Sequence, residues 1–238
     1  MTEPLRVLVV SAHPDDIEFS CAGSVAKWVD EGADVTYCIV TDGSTGTADA
    51  ELAGEAMAAI RRDESLRAAK AVGVEDVIFL GYRDGYVEPT LDLRRDIARV
   101  FRQSRPHRFI VMDPLPLPGG WFVNHPDHRA IGQASLDITV TAGTTPGHFP
   151  ELLEEGLLAW KGLREIYVSG PGGGEFAVDI TATIDRKIAA LQCHESQVGD
   201  WDVDSMVRAW TKENGKNHGY DHAELFHVLG TMEARREP

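Results

Sequence analysis

Apolar residues recur along the chain with two alternating periods. The short runs at 7–10, 35–40, 77–80 and 109–112 are rich in β-branched residues and have the length of buried strands. Between them, residues 22–31, about 53–72 and 91–104 carry apolar side chains at helical spacing. In the second of these helices Met57, Ile60, Leu66, Ala69 and Val72 are expected to share a broad inward face, with Arg61, Arg62, Asp63 and Glu64 outside it. A β-α-β-α-β-α-β order implies right-handed crossovers. It predicts an α/β chain with a Rossmann-like three-layer fold and a mostly parallel sheet.

The second half is less regular. Residues 114–120 hold three prolines and two glycines and are expected to form a loop. A helix is expected over 130–140, beginning near His125. Strands are expected over 165–169 and 176–180, separated by the turn Gly170-Pro171-Gly172-Gly173-Gly174, and helices over 181–191 and 201–210. No repeat or low-complexity linker interrupts the sequence, which reads as a single domain over 1–238.

Composition narrows the function. The chain has 238 residues, 43% of them hydrophobic and 26% charged, which suits a globular domain with a real core. A net charge of −15 offers no basic stripe for phosphates, so neither nucleic acid nor an anionic membrane surface is an expected partner. Cys21, Cys38 and Cys193 are widely spaced and form no C-x-x-C pair; they read as reduced thiols of a cytoplasmic protein. No secretion signal is read at the N-terminus, and no run of about 18 apolar residues occurs.

The chemistry lies in two clusters. His13-Pro14-Asp15-Asp16 follows the first strand directly, at the carboxyl edge where open α/β sheets keep their ligands. The G-x-G-x-x-G of a dinucleotide site is absent there. His125-Pro126-Asp127-His128 repeats the same residue types far downstream. A catalytic zinc takes three protein ligands and keeps a fourth position open. His13 and Asp16, three apart on a turn stiffened by Pro14, can face one ion, and His125 or His128 can complete the set. The carboxylate left over, Asp15 or Asp16, is a base for water. The remaining histidine is an acid for a leaving amine or a donor to an oxyanion, with Asp127 near enough in sequence to orient it. Each cluster alone has a plainer reading, as an Asp-capped turn or a solvated loop. Their pairing, with the first at a strand end, carries the metal reading. Two histidines and one carboxylate also suit ferrous iron, so Fe2+ and Mn2+ stay open beside Zn2+.

At these residues the chain resembles the PIG-L/LmbE-like de-N-acetylases, zinc enzymes that remove acetyl groups from N-acetylglucosamine conjugates. The resemblance rests on Ala12-His13-Pro14-Asp15-Asp16 with Gly23, Thr41-Asp42-Gly43-Ser44, and the helix carrying Arg61, Arg62 and Glu64. It continues through Leu80-Gly81-Tyr82-Arg83-Asp84-Gly85 and His125-Pro126-Asp127-His128 to Lys187, Ala190-Leu191 and His194-Glu195-Ser196-Gln197, nearly the full length. It implies one Zn2+ held by His13, Asp16 and His128, with Asp15 as general base and His125 as general acid or oxyanion stabiliser oriented by Asp127. It implies sugar contacts from Arg61 or Arg62 and from Asp84, and a small-molecule amino-sugar conjugate as partner. A homo-oligomer is left open. Ser44 and its loop, residues 41–46, follow the second strand and are expected on the same edge as a substrate contact.

One position departs from the family. Some thiol-pathway sugar deacetylases place an oxyanion-assisting tyrosine two residues before the first histidine of H-P-D-H, where this chain has Val123. That keeps an alternative in play, a metallo-amidase acting on a non-GlcNAc or longer-acyl amide, as in natural-product tailoring. A non-catalytic sugar-binding module is the rival of another class. Asn217 to His222, with His227, reads as a polar loop or a second metal site, and Trp121, Trp160, Trp201 and Trp210 read as buried packing first and as sugar-stacking rings second.

Overall fold

Strand β1 (Arg6–Ser11) shows why the central sheet has no wet face. Its side chains alternate, so Val7 and Val9 enter one core while Leu8 and Val10 enter the other, and all four are at most 2% exposed. The computed structural model describes residues 3–117, 122–170 and 173–230. After β1 come α1 (Asp16–Ser20), α2 (Ala22–Asp30), β2 (Asp34–Thr41), α3 (Glu55–Ala71), β3 (Asp76–Tyr82), α4 (Leu91–Ser104), β4 (Arg108–Met112) and α5 (Pro126–Thr139). Then follow α6 (Pro150–Glu154), β5 (Glu165–Ser169), β6 (Phe176–Asp179), α7 (Ile184–Gln192), α8 (Glu195–Val198), α9 (Val203–Gly215) and β7 (Ala223–Gly230).

The sheet runs β3-β2-β1-β4-β5-β7-β6. Strands β1 to β5 pair in parallel, and β7 lies antiparallel between β5 and β6. The expected α/β three-layer fold with a mostly parallel sheet is therefore present. Helices α2, α3, α7 and α9 cover one face through Val25, Trp28, Ala68, Ile188, Leu191 and Val207. Helices α4 and α5 cover the other through Leu93, Ile97, Phe101, Ile131, Ala134 and Ile138. Each large side chain so buried contributes about 1.5–3 kcal/mol of transfer free energy. Strand order reverses at β1, which pairs with β2 on one side and β4 on the other, and such a switch point opens a crevice at the strand ends. Helix α5 is drawn tightly onto that crevice. A Cβ at Gly132 would stand 2.4 Å from the Met112 carbonyl oxygen, so only glycine permits the approach.

Several expectations are corrected. Helix α3 turns Met57, Arg61, Glu64, Ser65, Ala68 and Ala69 inward, while Ile60 and Leu66 are 39% and 44% exposed. The buried stripe still has helical spacing, but polar side chains occupy it because they reach partners in the site. Strand β7 and the short helices α1, α6 and α8 were not expected, and the helix expected over 201–210 begins at Val203 and runs to Gly215. Trp201 and Trp210 are exposed rather than buried. Trp121 and parts of the two Pro/Gly loops, residues 118–120 and 171–172, lie outside the described residues. All three cysteines are free thiols. Among the described residues, no helix is long and apolar enough to cross a membrane.

Candidate metal centre

The ends of β1 and β4 flank the switch point, and they deliver the two histidine clusters to it. Nδ1 of His13 lies 3.1 Å from Nε2 of His128 and 3.3 Å from Oδ2 of Asp16. Nε2 of His128 lies 3.2 Å from Oδ1 of Asp16. These two imidazole nitrogens and the two oxygens of the Asp16 carboxylate are close enough for one divalent cation to be shared by the three side chains. His13, Asp16 and His128 thus fit a divalent cation.

The surrounding charge fits one too. Asp15, Asp16, Asp84 and Asp127 gather here against the single guanidinium of Arg61. Burial would lower the His13 imidazole, yet the Asp16 charge and hydrogen bonds donated to Asp127, Asp16 and Asp84 push it up to about 12. Burial would raise the Asp16 carboxyl, yet His128 and His13 hold it well below the carboxylate range. The cluster favours a positive charge at its centre.

Asp15 is shaped differently from Asp16. It stands at the N-cap of α1 but makes no side-chain cap hydrogen bond, so the capped-turn reading fails. Its φ of 102° lies in the left-handed region, which costs a non-glycine residue about 1–3 kcal/mol. Burial and the Asp16 charge push its carboxyl up to about 7, partly offset by Arg61, whose Nη2 is 3.3 Å from Oδ2. Arg61 is 3% exposed and also donates to the carbonyls of Pro14 and Gly43. It braces the turn from below. A Cβ at Gly46 would stand 2.3 Å from its Nη1, so the loop after β2 is closed over it. Arg62 goes elsewhere, exposed and stacked 4.0 Å over the Phe79 ring.

The far side of the His13 ring corrects the expected partner of Asp127. Nε2 of His13 is 3.2 Å from Oδ2 of Asp127 and 3.2 Å from Oδ1 of Asp84. Asp127 also accepts from the backbone N–H groups of Gly85 and Val87. Its carboxylate lies 4.0 Å from Nδ1 of His125, beyond hydrogen-bond reach. Asp127 therefore orients His13 and not His125. Asp84, 4% exposed, is likewise turned to His13 and to the N–H of Thr45. His125 is oriented by the backbone instead. It caps α5, its Nδ1 accepting from the Asp127 N–H at 3.2 Å. With Nδ1 an acceptor, the neutral ring carries its proton on Nε2. Burial and nearby His13 keep its pKa low, so the neutral ring dominates.

A buried frame holds α1, whose first residue is Asp16. Lys187 Nζ donates to the carbonyls of Glu18 and Phe19 and pairs with Glu224 at 2.6 Å. Glu224, on β7, accepts from the N–H groups of Gly23 and Ser24 and so caps α2 from outside. His194, Ser196 and Gln197 of the His194-Glu195-Ser196-Gln197 segment each find a partner in the earlier part of the chain. His194 Nε2 is 3.0 Å from Glu18, Ser196 donates to Glu64, and Gln197 donates to the Gly46 carbonyl. Sequence reasoning left His194 and Glu64 without a role and missed Glu18 and Glu224. A buried carboxylate has no signature until its partner is known.

Remaining candidates separate cleanly. Ser44 is 7% exposed, in the loop tied by Asp42 to the Asp84 loop. Val123 is 72% exposed and offers no donor. His222 bonds Thr211 and His227 bonds Glu175, so the residues near 217–227 do not converge. Among the described residues, His13 also groups with His125 and His128, and with Asp84 and Asp127, closely enough for either set to share an ion. A cavity of about 580 Å³ opens beside Asp16 and His128 and reaches Trp210 and Asn214.

Known proteins share this sequence and fold. The model of the family described as PIG-L: GlcNAc-PI de-N-acetylase matches residues 8–139. A diacetylchitobiose deacetylase of Thermococcus kodakarensis is 32% identical, covering 92% of this chain and 81% of its own length. A probable N-acetyl-alpha-D-glucosaminyl L-malate deacetylase of Bacillus anthracis is 28% identical over 83% of each chain. The solved N,N'-diacetylchitobiose deacetylase of Pyrococcus horikoshii superposes with a TM-score of 0.86 at 30% identity, covering 94% of this chain and 83% of that one. By family model, sequence and fold alike, the chain belongs to the PIG-L family of de-N-acetylases.

Proposed function

We propose that this protein is a zinc-dependent N-deacetylase that hydrolyses the acetamide of an N-acetylglucosamine-type conjugate, releasing acetate and a free amine. The observation that carries the reading is the His13–Asp16–His128 triad, spaced at 3.1–3.3 Å, with Asp15 beside it in a chain of this family. Zinc bound there would polarise the amide carbonyl and bring a water pKa down to about 7. The negative surplus around His13 supports a divalent cation of this kind.

Asp15 takes the proton of the attacking water at its carboxylate. Arg61 and the strained turn keep that carboxylate aimed without making it a ligand. As oxygen adds to the carbonyl carbon, charge moves to the carbonyl oxygen. His125 donates its Nε2–H to that oxygen, the role left to it by the Nδ1 hydrogen bond. When the carbon–nitrogen bond breaks, Asp15 returns the proton to the departing amine. Atoms balance with one water consumed.

The chain acts as one deacetylase domain over 1–238, and its free thiols support a cytoplasmic setting. The charge of −15 supports a small-molecule substrate over nucleic acid or an anionic membrane. The test is acetate release from N-acetylglucosamine conjugates by wild type and His13→Ala, with metal content measured alongside. Full activity in a metal-free His13→Ala protein overturns the reading.

A further inference from the structure

Of the side chains placed at the reaction, that of His125 is the most open. It is 42% exposed, against 11% for His13, 15% for Asp15 and 20% for His128. Carboxylates grip His13 and His128 from the side. The His125 ring instead bonds its own helix turn, through Nδ1 and the Asp127 N–H, and lies against the His13 and His128 rings. A ring so open is placed by the backbone that carries it.

That backbone is pinned on both flanks. On one side Asp127, fully buried, accepts from the N–H groups of Gly85 and Val87. On the other stands Asn124, 1% exposed. Its side-chain amide donates to the carbonyls of Asp113 at 2.8 Å and Leu115 at 3.1 Å. Its backbone N–H donates to the Pro116 carbonyl at 2.9 Å. One residue thus closes the base of the connection from β4 to α5. Asp113 is fixed to the sheet in turn, because its N–H donates to the Ser169 carbonyl at the end of β5. A Cβ on Gly170 would stand 2.7 Å from the Asp113 Cβ, so the two strand ends are pressed together there. Hydrogen bonds therefore run from β5 through Asp113 and Asn124 to the peptide of His125.

The triad does not depend on the same anchor. His128 lies further along α5, which Asp127 and the close approach of Gly132 to the Met112 carbonyl hold in place. Asn124 can thus govern His125 without governing the metal. Position matters here because Val123, two residues before His125, has no donor to share the oxyanion, and a misplacement of about 1 Å can cost about 10²-fold in rate. The Asn124 Oδ1 is buried and has no partner among the described residues. The amide is used for its two N–H groups, which an aspartate of the same shape cannot supply.

We infer that Asn124 is a positioning residue for deacetylation: its amide sets the peptide that carries His125, so that Nε2–H reaches the oxyanion. This rests on the deacetylase reading, with His125 as the oxyanion donor.

The test is a double-mutant cycle of Asn124→Ala with His125→Ala, read as acetate release from N,N'-diacetylchitobiose by zinc-loaded proteins. Asn124→Ala should lower kcat about 10–100-fold, with KM within about twofold and zinc stoichiometry at the wild-type level. In the His125→Ala background the same substitution should change kcat by less than about twofold, because the group it positions is gone. Asn124→Asp should match Asn124→Ala, and if either fails to fold the other carries the cycle. Equal losses in both backgrounds, or a loss carried by KM or by zinc content, make Asn124 a prop of the fold and overturn its role. Wild-type kcat in Asn124→Ala or in His125→Ala overturns it too. No acetate from the zinc-loaded wild type overturns the deacetylase reading, and this role with it.

Discussion

Oδ2 of Asp127 lies 3.2 Å from Nε2 of His13, across the imidazole from the nitrogen that faces Asp16 and His128. An acceptor in that position fixes the tautomer and raises the basicity of the opposite nitrogen. Asp127→Ala is therefore expected to weaken zinc binding about 10–100-fold, measured by competition with a chromogenic chelator. A variant with unchanged zinc affinity and depressed kcat would instead return Asp127 to His125.

Asp15→Asn removes the base but keeps the turn's shape. We expect kcat to fall by about 10²–10⁴ while metal stoichiometry stays at wild type. Steady-state acetate release and elemental analysis of the same samples check this. Loss of metal in Asp15→Asn would show that Asp15 is a ligand.

Lys187→Met strips the counter-charge from Glu224 and orphans the Glu18 and Phe19 carbonyls. Breaking a fully buried pair from one side costs about 3–5 kcal/mol. Urea unfolding of the two proteins measures the difference, and a change below about 1 kcal/mol would mean water reaches the pair.

His194 gives stability a pH dependence. Burial pulls its imidazole down, but the hydrogen bond and charge of Glu18 more than offset this and raise it above 6.5. A pKa raised by folding contributes stability fully present below the unfolded value. The contribution then shrinks as pH climbs from 6.5 through the folded value. The stability gap between wild type and His194→Gln should be widest near pH 5.5–6 and narrow toward pH 8.5. A gap that widens with pH contradicts a charged His194.

The parallel strands and the clustering of His13, Asp16 and His128 were legible because each writes its chemistry locally. Val7–Val10 can be little else than a buried strand, and His13 and Asp16 follow it within one turn. Strand β7 was not legible, because Glu224 and His227 break its apolar pattern for partners distant in sequence. The same cause misled the reading of α3. Arg61 and Glu64 look like a solvated face until Pro14, Asp15 and Ser196 are brought to them. Asp127 was assigned to its sequence neighbour His125, while folding gives its carboxylate to a residue 114 positions away.

Glu224 caps α2 across 200 and 201 residues, and Lys187 and His194 hold α1 from the same late part of the chain. Closure over such separations comes late in folding. His13, Asp16 and His128 thus all precede in the chain the residues that complete the frame around the helix that aims Asp16. Strand β7 acts as a keystone: a fragment of residues 1–139 carries His13, Asp16 and His128 without the frame that holds α1.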